Sequence, residues 1–412
     1  MEALRLFRSL TRDQRNTFIA CFLGWALDAL DFFLLTFVMP AVARDFHCGV
    51  PQIALALTVT LMMRPVGAAI FGYLGDRFGR RIPLMIDIVF YSLMELLTAF
   101  APNYTVFLIL RALFGIGMGG EWGLGASLAM EALPAQARGL FSGILQQGYA
   151  VGYVLAALVF WFVFPSFGWR GMFVAGALPA LLVLYIRASV PESPVWQRDR
   201  ASARMITSVG SLAGELVRHR KLFLYAVLLM TAFMYMSHGT QDIYQTFLEQ
   251  QLGLSVHQKT LVAILYGVGA ICGGTIFGHL SQKLGRRRSI IIAAVLGFFL
   301  IPAWVYAPNL ALLMAGGFFM QFMVQGAWGV VPVHLNELAP AACRGTFAGL
   351  TYQLGAFFSA NAAFVQASIA ERLRDSQGAP DYAKTLAIFM ATVFVSLIII
   401  AAIGREERGR EF

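Results

Sequence analysis

The residues best suited to chemistry lie inside long apolar stretches, where an ionisable side chain is costly and normally faces a cavity. Residues 237–246 read Ser-His-Gly-Thr-Gln-Asp-Ile-Tyr-Gln-Thr. His238 and Asp242 are four apart, Gln241 stands beside them, and Thr246 lies four beyond Asp242. That spacing predicts a continuous polar stripe on an apolar helix, the form of a cavity lining. An imidazole changes charge close to neutrality, and a carboxylate one turn away titrates with it as a unit. The pair is therefore suited to loading and releasing a proton. Which member holds the proton stays open, and a patch serving only helix packing is the competing reading.

Arg64 stands eleven residues before Gly75. On a helix that is roughly 16 Å from the inner end, close to the middle of a bilayer. Its planar fork matches a carboxylate in two-point contact. No Lys lies in the interior of any apolar stretch, so Arg64 is expected to anchor a small anion. Asp28 and Asp31, three apart on one helical face, Arg111 and Glu121 are the remaining intramembrane charges singled out. For Asp28, Asp31 and Arg111, a buried ion pair that merely locks two helices competes with a functional role.

These side chains need a membrane scaffold. The 412 residues are 58% apolar and only 13% charged, about half the charge fraction of a soluble domain. Apolar stretches run at about 17–40, 52–75, 82–101, 103–128, 140–164 and 168–188, then 221–247, 257–281, 289–306, 309–335, 344–370 and 383–404. The fold class expected is an all-α membrane protein of twelve transmembrane helices. Residues 1–188 form one six-helix half, 189–220 a cytoplasmic linker, and 221–412 the second half. The net charge of +9 comes from Lys and Arg in the short gaps rather than from a basic nucleic-acid face. With both termini inside, most of those charges fall on the cytoplasmic side, which fixes the expected orientation in a cell (inner) membrane. No cleavable signal peptide is read at the basic start.

The chain repeats itself at an offset of 206 residues. Gly72-Tyr-Leu-Gly-Asp76-Arg77-Phe-Gly79-Arg80-Arg81 returns as Gly278-His-Leu-Ser-Gln282-Lys-Leu-Gly285-Arg286-Arg287. Trp122 maps to Trp328, Glu131 to Glu337, Arg138 to Arg344 and Gln147 to Gln353. The paired recurrence of Asp76, Arg77, Arg80, Glu131, Arg138, Glu337 and Arg344 points to an inner gate of ion pairs, and solvated loop charges are the competing reading. Gln282 replaces Asp76 in the second copy, so a charge-based gate should be weaker there.

Several motifs are set aside. Gly115-Ile-Gly-Met-Gly-Gly120 has the spacing of a dinucleotide fingerprint but lies inside a span, where small residues let helices approach closely. Cys21, Cys48, Cys272 and Cys343 lack disulfide or zinc spacing. Walker, HExxH and GxSxG patterns are absent from the sequence. Neither nucleotide, cofactor, metal nor enzymatic activity is expected, and a monomer is. Asn103-Tyr-Thr is read as an accidental glycosylation sequon in a short loop.

The 72–81 loop, its weaker copy, Arg111-x-x-x-Gly115-x-Gly117 and Pro191-Glu192-Ser193 together resemble the major facilitator superfamily over essentially the whole chain. Span 7 resembles the signature of the fungal-type lactate permeases in the sialate:proton symporter family, Asn-x-x-Ser/Thr-His-x-Ser/Thr-Gln-Asp-x-x-x-Thr, with Met234 in place of the leading Asn. Gly119-Gly120-Glu121-Trp122 and Tyr352-Gln353-Leu-Gly are similar to that family too. The resemblance implies alternating access and symport of a small monocarboxylate with a proton, lactate or pyruvate first. Substrate roles then fall to Arg64, Gln241, Gln353 and His238. Proton-coupling roles fall to Asp242 and His238, with Asp28, Asp31 and Glu121 as further candidates. The alternatives are symport of sialic acid or another sugar acid, and a passive anion channel.

Overall fold

Helices begin where the sequence supplies a cap for the free amides of the first turn. Thr11 and Ser255 form capping boxes with Gln14 and Gln258 ahead of spans 1 and 8. Asn103 and Asn309, one repeat apart, cap spans 4 and 10 by accepting from the amides of Val106 and Leu312. Asn103 is thus a helix cap.

The computed structural model describes residues 6–7, 9–48, 50–201, 208–244, 247–374 and 378–410. Among these residues the regular structure is helical, apart from one isolated bridge between Arg374 and Pro380. Spans 1–4 are Arg12–Asp45, Val50–Phe78, Arg81–Ala99 and Tyr104–Ala132. Span 5 starts as Arg138–Gln146 and continues in Gly148–Ala175, which passes through a non-helical Gly168 (φ 61°) into span 6. Span 6 itself is bent by 44° between Phe162–Ala175 and Leu178–Ser189. In the second half come Arg220–Gln241, Val256–Leu284, Arg286–Val305, Leu310–Trp328 with Val331–Leu338, and Tyr382–Ile403.

Among the described residues, ten helices, eleven with the bent pair counted as one span, are long and apolar enough to cross a membrane. The difference from twelve lies at 344–370. That stretch is present as two pieces, Arg344–Ser359 and Ala362–Arg372, each too short to qualify alone. At the break, the Tyr235 hydroxyl donates to Phe358 O and Asn361 Oδ1, which meets backbone and side-chain acceptors there. The linker region contains Pro194–Ala201 and Val209–Arg218, neither long enough to cross.

Helix packing repeats along with the sequence. Spans 1 and 5, 2 and 4, and 3 and 4 pack in the first half; 7 and 11, 8 and 10, and 9 and 10 do so in the second. The glycine-rich run of span 4 makes one of these contacts possible. A Cβ on Gly115 would fall 2.2 Å from Thr60 O, and one on Gly119 2.0 Å from Arg64 O. The run therefore serves close approach of spans 2 and 4, and its packing holds the backbone of Arg64 in place.

The halves meet through span 2 against span 11, span 5 against span 8, and span 4 against span 11. Hydrogen bonds and ion pairs joining them among the described residues gather at the end carrying the 76–81 loop. Both ends of the chain approach this same face: Asn16 bonds Ser189 O, and Arg138 bonds Arg410 O.

Candidate functional site

The sealed end is built from the two loop copies. Gly79 and Gly285, 206 apart, have φ of 100° and 99°, a backbone shape that favours glycine. Each turn frees the amides of the helix that follows, and a carboxylate takes them. Glu192 accepts from Arg80 N and Arg81 N; Glu406 accepts from Arg286 N and Arg287 N. Burial raises the Glu192 carboxyl above its usual range, against the backbone amides of Ser193, Arg80 and Arg81 that pull it back.

Arg80 then reaches both Asp76 (2.5 Å) and Glu131 (3.1 Å), while Arg286 grips Glu337 with two bonds of 2.8 and 2.9 Å. The links across the halves are unequal. Arg344 crosses to Glu131 at 3.1 Å, and Asp76 accepts from Gly345 N, Thr346 N and the Thr346 hydroxyl at the start of span 11. At the corresponding place Gln282 accepts from Gly139 N and donates to Ala135 O, without charge. Arg138 bonds the carbonyls of Met130 and Leu133. Arg77 does not join the cluster: its guanidinium bonds the Tyr73 hydroxyl and lies over the Phe78 ring at the surface.

Asp76→Asn should weaken this closed end, since it removes the charge from three cross-half hydrogen bonds worth about 1.5–3 kcal/mol each. Labelling of single cysteines from the loop side should rise several-fold in that variant. Unchanged labelling would assign Asp76 to folding alone.

Above the seal, spans 2 and 11 continue in register. A Cβ on Gly72 would meet Thr346, and one on Gly349 would lie 3.9 Å from the Ala68 Cβ. One helical turn further on, Arg64 and Gln353 stand at the same level on the two facing helices. Both are buried. Arg64 Nε and Nη2 and both amide atoms of Gln353 lack a hydrogen-bond partner. The 206-residue partner of Gln353 behaves differently, since Gln147 Nε2 reaches Gly143 O. Trp122 stacks on Tyr352 at 3.9 Å, with Trp328 edge-on to the same ring at 5.7 Å. Asp28, Glu121, Tyr149 and Tyr352 lie within electrostatic range of the Arg64 guanidinium.

Span 7 holds part of the expected stripe. His238 Nδ1 and Asp242 Oδ1 are 3.1 Å apart, and Gln241 is exposed. Thr246 lies outside the described residues. The helix does not continue to 247 but ends at Gln241, with Asp242 as its C-cap. Two buried or half-buried donors from elsewhere in the second half take the carbonyls this leaves free: Gln366 Nε2 bonds Gly239 O, and the Tyr266 hydroxyl bonds Thr240 O. Thr240 itself turns inward to accept from Gln321, so it is not part of the stripe.

The remaining charges sit in the first half. Asp28, Asp31 and Glu121 are fully buried, and no carboxylate oxygen of the three has a hydrogen-bond partner. Glu121 faces span 1, where a Cβ on Gly24 would come within 2.5 Å of Oε1. Arg111 forms a buried ion pair with Glu95, also bonds the Thr98 hydroxyl, and lies over Phe114 and Phe173. It is a lock between spans 3 and 4. Arg111→Ala leaves Glu95 buried and unpaired, which costs about 3–5 kcal/mol. The expected result is a fall in melting temperature large enough to deplete folded protein in the membrane; a wild-type melting curve would contradict the lock.

Sequence reasoning missed Asp87 and Glu95, both fully buried in span 3, and His334 in span 10, whose ring nitrogens are unbonded. A search for every acid within an apolar run would have found the first two. The repeat partners of Asp87, Glu95, Arg111 and Glu121 are Ala293, Ile301, Gly317 and Ala327, so this charge set belongs to one half alone.

The geometry is that of a two-sided helical bundle, sealed at one end over buried, unpartnered polar groups. Comparison with known proteins agrees. Residues 21–246 match the family described as Major Facilitator Superfamily, and residues 219–404 match Sugar (and other) transporter. A protein of Saccharomyces cerevisiae named "Carboxylic acid transporter protein homolog" is 32% identical, over 98% of this chain and 70% of its own length. "Sialic acid transporter NanX" of Escherichia coli is 27% identical over 98% of this chain and 97% of its own. The proton:xylose symporter XylE superposes with a TM-score of 0.79 at 20% identity, covering 97% of both chains, which shows the shared fold. The chain belongs to the major facilitator superfamily. It is a multi-pass membrane protein and a secondary transporter, not an enzyme.

Proposed function

We propose that the protein carries a small monocarboxylate together with a proton, lactate or pyruvate being favoured, across an inner membrane with both chain ends in the cytoplasm. The observation that carries this reading is the buried guanidinium of Arg64, unbonded at Nε and Nη2, on a helix packed against the one that bears the buried, unbonded amide of Gln353. A carboxylate needs two parallel donors and a counter-charge, and this pair offers both. Gln241 and His238 supply further donors from span 7. With the termini inside, the sealed end faces the cytoplasm and the site opens outward. The two halves, residues 1–188 and 221–412, then rock about the site, and the links that cross between them, Arg344 to Glu131 and Asp76 to Gly345 and Thr346, must part before release inward. Asp28 and Glu121 compete with the substrate for the charge of Arg64. A proton on either frees the guanidinium for the incoming anion, and a proton on the His238–Asp242 pair offsets the anion's charge.

Relatives named for carboxylic acid, sialic acid and cis,cis-muconate support a carboxylate and leave its size open. A sugar acid is the second reading, favoured by the similarity to the sialic acid transporter along almost the entire chain. Competition in proteoliposomes separates the two. Labelled lactate uptake should be inhibited by pyruvate at about the concentration of lactate itself, and by sialate or muconate only at concentrations at least about tenfold higher. Uptake that ignores every monocarboxylate would end the reading.

A further inference from the structure

Away from the central site, the cytoplasmic ends of spans 7 and 12 enclose a cavity of about 410 Å³. Arg218, His219, Arg220, Lys221 and Arg405 surround it, with Tyr225 at its wall. A second cavity of about 360 Å³ shares His219 and Arg405 and adds Arg410 and one carboxylate, Glu407. Glu215 occupies Arg218 and His219, at 3.2 and 3.1 Å. Among the described residues Arg220, Lys221 and Arg405 form no ion pair, and the Tyr225 hydroxyl is buried without a hydrogen-bond partner. Three cations outside any ion pair and a spare hydroxyl around one concavity call for an anion with several acceptor oxygens.

The cavity sits where Arg220–Gln241 begins and Tyr382–Ile403 ends, at the boundary between apolar and polar chain. Ile403, 74% exposed, lines the cavity, and directly beyond it on the same two helices the outward side chains Leu224, Leu228 and Ile399 are apolar. A phosphate group with attached acyl chains fits both parts at once. A free phosphate would use only the first.

We propose that this cavity binds the phosphate headgroup of an anionic glycerophospholipid, whose chains lie along spans 7 and 12. Basic pockets between transmembrane helices on the cytoplasmic side hold such headgroups, and each Lys or Arg near the surface adds to the attraction. The site is separate from Arg64 and does not depend on what is transported.

Thermal unfolding of the purified full chain in detergent tests this, with added short-chain phosphatidylglycerol, phosphatidylcholine of the same chain length, and inorganic phosphate. Phosphatidylglycerol should stabilise at concentrations about tenfold lower than phosphatidylcholine. The Arg220→Gln/Lys221→Gln/Arg405→Gln variant should lose that preference, whereas Arg12→Gln/Arg44→Gln should keep it. Should the triple variant fail to accumulate, Arg405→Gln alone should narrow the preference about threefold. Equal responses to the two lipids, or the same preference in all variants, overturn the proposal. A full shift with inorganic phosphate at the lipid's concentrations also overturns it, because the ligand would then be free phosphate.

Discussion

Arg64→Lys lowers carboxylate uptake, measured as kcat/KM in proteoliposomes, by about a hundredfold while the protein still folds and inserts. The argument rests on geometry rather than charge. Lys keeps the positive charge that acts on Asp28 and Glu121, so the electrostatic balance of the first half survives. It loses the rigid two-donor fork, replacing it with a single compact ammonium on a flexible stem. Losing one charge-assisted hydrogen bond to a carboxylate costs about 1.5–3 kcal/mol, and every 1.4 kcal/mol is tenfold. The comparison with Arg111→Lys makes the result specific. Arg111 is held by Glu95 and Thr98 against two phenyl rings, so its replacement should act on thermal stability first. If Arg64→Lys transports normally, the anchor is elsewhere, and Gln353 with the span 7 donors must carry the anion alone.

Much of this site is legible in the sequence because the chain contains its own internal comparison. Arg80 and Arg286 could be matched at the 206-residue offset, and the structure places each on a glutamate, Glu131 and Glu337, that obeys the same offset. Gln282, in place of Asp76, makes an uncharged link on that side. Glu406 escaped notice for a physical reason. It does for Arg286 and Arg287 what Glu192 does for Arg80 and Arg81, but it arrives from the far end of the chain with no motif around it and off the repeat's register. The end of span 7 was equally hidden. Its α-helix breaks after Gln241, where Gln366 and Tyr266, distant in sequence, bond the carbonyls of Gly239 and Thr240, and helical turns resume at Phe247–Gln251. Thr240 shows the limit of reading a motif as one surface. It lies two residues from His238, about 200° around the helix, and so points away from the face that His238 and Asp242 share.

Asp242→Asn abolishes uphill, pH-driven uptake while leaving exchange of labelled for unlabelled substrate largely intact. A small 2-hydroxy or 2-oxo acid is an anion at neutral pH, and a negative-inside membrane opposes its entry by about 2.3 kcal/mol per 100 mV. Carrying one proton with it cancels that penalty and lets the pH gradient do work. The carrier then needs a group that takes a proton outside and gives it up inside. His238 and Asp242 meet that need by position, since the two touch at 3.1 Å and neither is buried. The two share one hydrogen bond, so removing the carboxylate breaks the pair whichever member held the proton. Exchange requires only that the loaded carrier reorient, and Asn keeps the shape and one acceptor for His238. The first half holds the rival groups: Asp28, Asp31 and Glu121 are buried without hydrogen bonds, and two of them act on Arg64 directly. If Asp242→Asn still concentrates lactate against its gradient with one proton per anion, the proton travels there instead. In that case Asp28→Asn and Glu121→Gln, made singly, should reveal which carboxylate carries it, because only the variant lacking that group will exchange substrate yet fail to accumulate it.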